Sequence, residues 1–280
     1  MKSAEISIHW FRRDLRLADN PALLRAARTG RVLPVFIDDP DQPQEVALGA
    51  ASRAWLHEAL AALDRALGGG LNIFRGPPQD VLCALAERHG ATMVSCGALP
   101  DPALAPRDAR IRAALKERGI EVAVENGFLL WTPGEVRKAD GTPYRVFTPF
   151  FRRGCLSAPP PRAPLPAPAF ETLRDGEALP LAALGLWPRQ DWAKDVLAHW
   201  QPDEVAAQKR LHRFVADRLA RYPDARDHPG DDGTSRLSPH LHFGVISPNQ
   251  VWDAARGPGA DKLRAELGWR EFSWNLLVHN

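Results

Sequence analysis

Three segments carry residues whose types and spacing could do chemistry. The first is Gly233-Thr234-Ser235-Arg236-Leu237-Ser238-Pro239-His240-Leu241-His242-Phe243-Gly244. Three hydroxyls and an arginine stand at a helix whose N-cap is read as Ser238 and whose first residue is read as Pro239. Free backbone N–H groups and the helix dipole then converge on one spot. That is the make-up of an anion site. Capping alone would account for Ser238, but not for Thr234, Ser235 and Arg236 beside it. The following Ser247-Pro248-Asn249-Gln250 reads as a capping box with Gln250 at N3.

The second segment is Glu266-Leu267-Gly268-Trp269-Arg270-Glu271-Phe272. On a helix Glu266, Trp269 and Arg270 share one face at i, i+3 and i+4. An aromatic plane between a carboxylate and a guanidinium can stack on a base and bond its edge; a surface Glu–Arg pair beside a core Trp fits the same spacing. The third is Trp10-Phe11-Arg12-Arg13-Asp14-Leu15-Arg16-Leu17 at the end of the first strand, where open α/β sheets often bind ligands. Its arginines could equally pair with carboxylates across a domain interface.

The elements that must position these residues fall into two kinds. Short runs rich in β-branched and aromatic residues at Ile6–Phe11, Val32–Ile37, Leu71–Arg75, Thr92–Cys96 and Ile120–Val124 alternate with amphipathic stretches, the pattern of a parallel sheet with crossover helices. Asn20 and Pro21 mark a helix start, Leu56, Leu60, Leu63 and Leu67 a buried stripe, and Gly68-Gly69-Gly70 its end. The expected fold is α/β: a Rossmann-like five-stranded parallel sheet, then a linker and the beginning of an all-α domain. Six prolines between Pro159 and Pro168 form the linker. Helical periodicity returns from Pro202 to Tyr222, with Val205, Leu211, Phe214, Val215 and Leu219 facing inward.

Other chemistries lack their signatures. No GxGxxG follows the first strand, and GxxxxGK[ST], HExxH and GxSxG do not occur. Cys83, Cys96 and Cys155 are an odd number without CxxC spacing, which argues against a disulfide framework or a structural zinc site. Lys and Arg total 36 against 34 for Asp and Glu, so any attraction to polyanions must come from a local patch. Without a secretory start or a long apolar run, the expectation is a soluble cytoplasmic protein, with no metal and no membrane association.

The sequence resembles the DNA photolyase and cryptochrome family, most closely the class I cyclobutane pyrimidine dimer photolyases. The resemblance rests on IHWFRRDLRLADNPAL, on Thr132-Pro133-Gly134-Glu135-Val136 with Gly141-Thr142-Pro143-Tyr144-Arg145-Val146-Phe147-Thr148-Pro149-Phe150, on GTSRLSPHLHFG and on WREF. It implies an α/β antenna domain over residues 4–133, a connector over 134–200 and the first part of a helical FAD-binding domain over 201–280. It also implies light-dependent repair of UV-damaged DNA, in which reduced FAD donates an electron to a pyrimidine dimer and the ring splits, or else a blue-light photoreceptor that repairs nothing.

By the same resemblance Tyr222, Thr234, Ser235, Arg236, Leu237, Ser238 and Arg270 hold FAD. Glu266 and Trp269 act on the dimer, and Arg226 lies with Glu266, Trp269 and Arg270 on the DNA surface. An antenna chromophore, folate or deazaflavin, is implied beside FAD, and the complete protein is expected to be a monomer. Members of the family continue for about another domain. A chain ending at Asn280 is therefore expected to expose Phe214, Val215 and Phe272 and to be inactive alone.

Overall fold

The structure, a computed structural model, describes residues 5–279. Strands β1 (Ile6–Phe11), β2 (Arg31–Asp38), β3 (Asn72–Arg75), β4 (Met93–Gly97) and β5 (Glu121–Glu125) form a parallel sheet in the order β3-β2-β1-β4-β5. Four of the five expected strands shift by a residue at one or both ends, and Ile6–Phe11 is reproduced. A sixth strand, β6 (Glu171–Thr172), lies past the prolines and pairs with Arg31 and Val32 of β2. Two residues are too few to show a period in sequence.

Helices α1 (Pro21–Ala27) and α2 (Ala50–Ala66) cover one sheet face, and α3 (Pro78–His89) and α4 (Ala105–Glu117) the other. Ile8 and Trp10 point to the second face and Phe11 to the first, as the two-residue strand period requires. Asn20 caps α1 by accepting from the Leu23 N–H at 3.0 Å, with Pro21 at N1.

Beyond the sheet come the short turn α5 (Phe147–Pro149), a π-helical turn at Phe150–Gly154, α6 (Trp192–Leu197), α7 (Glu204–Asp217), α8 (Tyr222–Ala225), α9 (Ser238–Phe243), α10 (Pro248–Ala254) and α11 (Ala260–His279). Their core joins Leu211, Phe214, Leu219, Leu267 and Phe272 to Trp131, Tyr144 and Phe150 from the segment after β5. Phe214 and Phe272 are 2% and 5% exposed, and Val215 packs against the same cluster, so the expected exposure does not occur. The segment after β5 supplies the cover. Val205 departs in the other direction: it stands 62% exposed on the first turn of α7.

The loop after β1 joins the halves. Arg16 is 1% exposed. Its guanidinium donates to the carbonyls of Asp19 (2.6 Å), Gly127 (2.8 Å) and Gly244 (2.9 Å). Glu204, at the start of α7, accepts from the Leu17 and Ala18 N–H groups at 2.8 and 2.9 Å. Gly244 adopts φ +68°, and a side chain there would overlap the Arg13 carbonyl, so only glycine lets α9 end against this loop.

Removing the guanidinium would strand three carbonyls. Arg16→Met is expected to lower the unfolding free energy by about 3 kcal/mol in a urea titration, the scale of breaking a buried charged contact. Arg16→Lys should recover only part of it, because an ammonium cannot span the three acceptors.

Candidate functional site

The Gly233–Ser238 loop is seated on α8, because Gly233 packs against the Ala225 carbonyl so closely that a Cβ would collide with it. Thr234, Arg236 and Ser238 are exposed, Ser235 is half-buried and Leu237 is buried. Arg236 takes φ +52°, a left-handed conformation uncommon for a non-glycine residue. Its guanidinium lies 3.3 Å from Asp232, which also binds Arg218 at 2.6 Å.

Ser238 is not the N-cap. Leu237 occupies that position with helical backbone angles, and no side chain caps α9. Ser238 is thus already inside the first turn. The capping box at Ser247 and Gln250 forms in full.

Tyr222 starts α8, is 8% exposed and meets Phe214 edge-on at 5.3 Å; burial raises its phenol pKa. One turn further on, Arg226 forms an ion pair with Glu266 of α11, and the hydrogen bond to Glu266 raises the Arg226 pKa. The expected contacts for a DNA phosphate and for a dimer are thus bound to each other. Lys262 lies 3.8 Å from the same carboxylate.

Along α11 the three residues read as one face diverge. Glu266 turns to α8. Trp269 is 46% exposed and lies flat on Phe147, with centroids 3.7 Å apart and planes at 10°. Arg270 turns inward, over Phe128 at 4.4 Å and against Glu271 at 3.1 Å, and desolvation lowers its pKa.

Glu271 was read in sequence only as part of WREF, yet it is one of the most constrained side chains of the site. It accepts from the N–H groups of Leu130 (3.0 Å) and Trp131 (3.4 Å). Burial pushes its carboxyl up to about 7, against the opposing effect of Arg270 and these donors. A signal was available: Leu267, Gly268, Glu271, Phe272 and Asn275 are the buried stripe of α11, and Glu271 falls on it.

The loop fits a phosphate-bearing cofactor such as FAD. Among the described residues the hydroxyls of Thr234 and Ser238 have no hydrogen-bond partner, and they stand with Arg236 beside the Tyr222 helix. At the carboxyl ends of β1 and β4, where the strand order reverses, the arginines are held in place by carboxylates. Arg12 and Arg107 cover the Trp10 ring at 4.6 and 5.5 Å and are fastened to Asp108 and Asp39 at 2.7 and 2.8 Å. The two cavities touching Trp10 measure 160 and 130 Å³, and one of 370 Å³ adjoins them along Asp39 and Arg107.

A parallel α/β sheet joined through a buried loop to a helical unit with an open aromatic face defines the class of protein, and comparison with known proteins identifies it. The family described as DNA photolyase matches residues 7–169. A deoxyribodipyrimidine photo-lyase of Agrobacterium fabrum is 36% identical over all of this chain and 60% of its own length. Cryptochrome-2 of Arabidopsis thaliana is 35% identical over 91% of this chain and 44% of its own. A bacterial class III photolyase from Agrobacterium tumefaciens superposes with a TM-score of 0.93 at 36% identity, covering 100% of this chain and 60% of that one. An archaeal photolyase from Sulfolobus tokodaii, solved with two FAD molecules, gives 0.79 at 27% identity over 98% of this chain and 60% of its own.

The chain belongs to the DNA photolyase family. It spans about 60% of the length of the photolyases it matches here. No helix among the described residues is long and apolar enough to cross a membrane.

Glu271 makes stability depend on pH in a defined direction. A carboxyl whose pKa is raised by folding stabilises in its protonated form; that contribution is complete below the unfolded value of 4.5 and is lost as pH rises through about 7. Glu271→Gln is expected to remove this decline, seen as a smaller change in urea midpoint between about pH 5 and about pH 8. His9, lowered to about 4 by burial, contributes with the opposite sign in both proteins and drops out of the comparison. An unchanged profile would show that Glu271 does not titrate there.

Proposed function

We propose that this chain forms the α/β half and one wall of the reactive site of a flavoprotein that splits cyclobutane pyrimidine dimers in UV-damaged DNA under blue light. The observation that carries the reading is the open face of Trp269 on the same helix as Glu266, with the Gly233–Ser238 loop and Arg226 gathered beside them. A large aromatic ring left half-exposed costs solvation unless something covers it, and a nucleobase has the matching flat face.

FAD, when bound, supplies a light-absorbing one-electron donor. Thr234, Ser235, Arg236 and Ser238 would hold its phosphates, with Tyr222 and Leu237 packed behind them and Arg270 held against Glu271 and Phe128. A dimer already weakens base pairing, so bringing it out of the duplex is cheaper than for an intact base. Trp269 would take it by stacking. Glu266 would accept from its polar edge once Arg226 exchanges that carboxylate for a DNA phosphate.

Relatives that include cryptochromes support a second reading, a flavin photoreceptor without repair activity. The carboxylate three residues before the exposed tryptophan favours repair, since an edge-reading acceptor has an evident use against a dimer.

In the flavin-loaded protein, Glu266→Ala is expected to lower dimer loss per absorbed photon about tenfold, the scale of one lost charged hydrogen bond. An unchanged yield would remove Glu266 from the reaction. Flavin-loaded protein that leaves thymine dimers intact under blue light would favour the photoreceptor.

A further inference from the structure

Trp269 is the outer member of a stack of three rings. Phe147 lies on it, and Phe151 lies on Phe147 with centroids 5.6 Å apart and planes again at 10°. Phe272 meets both Phe147 and Trp269 edge-on at 5.9 Å. The two inner rings come from α5 and the π-helical turn after it, far from Trp269 in sequence.

Two features hold that segment to α11. Asn275 donates through Nδ2 to the Tyr144 carbonyl at 3.0 Å, pinning the strand of chain that leads into Phe147. Gly268, inside the helix, leaves the space that the Phe151 ring occupies; a Cβ there would overlap the ring. Glycine inside a helix is less favourable than alanine, and seating this ring is the compensation the structure shows. Arg145, Arg152 and Arg153 are exposed on the same segment, with no carboxylate partner among the described residues.

We propose that Phe147 is a positioning residue. Backed by Phe151 and admitted by Gly268, it occupies the inner face of Trp269 and fixes the indole plane, so that the outer face is a preset platform for a pyrimidine base. The proposal rests on the reading of Trp269 as a base-contacting residue given above. An indole free to rotate would have to be ordered on binding; one already stacked loses little more freedom.

The probe is a single-stranded oligothymidylate titrated into the full chain while tryptophan emission is followed. Nine tryptophans contribute, so the Trp269 signal is the difference between wild type and Trp269→Leu. Oligothymidylate is expected to quench that signal. Phe147→Leu should weaken the apparent affinity about tenfold, within the range of one base–aromatic stack. Phe147→Tyr, which keeps the ring, should stay within about twofold. Gly268→Ala should resemble Phe147→Leu while circular dichroism shows the helix retained.

In the Trp269→Leu background, with affinity read from the anisotropy of a labelled strand, Phe147→Leu should bring no further loss. A merely structural defect would add to it. The proposal is overturned if Phe147→Leu titrates as wild type, if its effect is as large without Trp269, or if wild type shows no Trp269-dependent quenching. The repair reading is scored separately by light-dependent loss of dimers in flavin-loaded protein. Platform signals without dimer loss would retain the platform and discard repair; dimer loss with a wild-type Phe147→Leu titration would do the reverse.

Discussion

A single guanidinium sets the frame in which the rest of the molecule is placed. Arg16 is removed from water, and desolvation lowers its pKa. A charge so buried persists only if its donors are met, and here they are met by backbone carbonyls from three parts of the chain. Two of those carbonyls lead to the candidate site. Gly127 opens the segment whose Leu130 and Trp131 N–H groups are bound by Glu271 of α11, and Gly244 closes α9, which carries the Thr234–Ser238 loop at its other end. Both walls of the site are thus measured from one side chain of the α/β half. That connection explains why WFRRDLRL, the most unusual segment of the first domain, carries so little exposed chemistry: Arg12 is committed to Asp108 and Arg16 to carbonyls.

Glu271 repeats the device on the helical side with the opposite charge. A carboxyl pushed up to about 7 is an unfavourable guest in a core, and two backbone N–H groups with a neighbouring guanidinium make it tolerable. What it provides is direction. Hydrophobic contacts alone would allow α11 to slide or rotate against the segment after β5; two N–H groups aimed at one oxygen do not. Trp269 and Glu266 therefore stand on a helix whose rotation is fixed.

Much of this frame is legible in sequence because it is local. The strand period places Ile8 and Trp10 opposite Phe11, Asn20-Pro21 starts a helix, and Ser247 with Gln250 closes a capping box; each is set by residues within a few positions. The failures have physical causes as well. Ser238 carries the right side chain for an N-cap, yet the positive φ at Arg236 and the helical angles of Leu237 start the helix one residue earlier. Spacing put Glu266, Trp269 and Arg270 on one side of α11, but it could not say that Arg226, Phe147 and Phe128 draw them apart. Those partners come from other elements, and no local pattern encodes them. The same limit hid the exposure of Val205 and the burial of Phe214 and Phe272, which are settled by what the segment after β5 covers.

The Arg226–Glu266 pair bears on how the proposed site would admit a ligand. Its side chains are 24% and 28% exposed, so the charges are partly hydrated and screened, and such pairs contribute at most about 1 kcal/mol. A phosphate would compete for Arg226 with a stronger, bidentate geometry. In the proposed exchange Arg226 would stay satisfied by a phosphate, and the released carboxylate, still near Lys262, would be free to accept from a base edge. A fully buried pair could not be exchanged so easily, because separating it would leave two desolvated charges. The structure keeps the two kinds of ion pair apart on one helix: the buried one, Arg270 with Glu271, fixes the helix, and the other, Glu266 with Arg226, stays partly in solvent, as the proposed exchange would require.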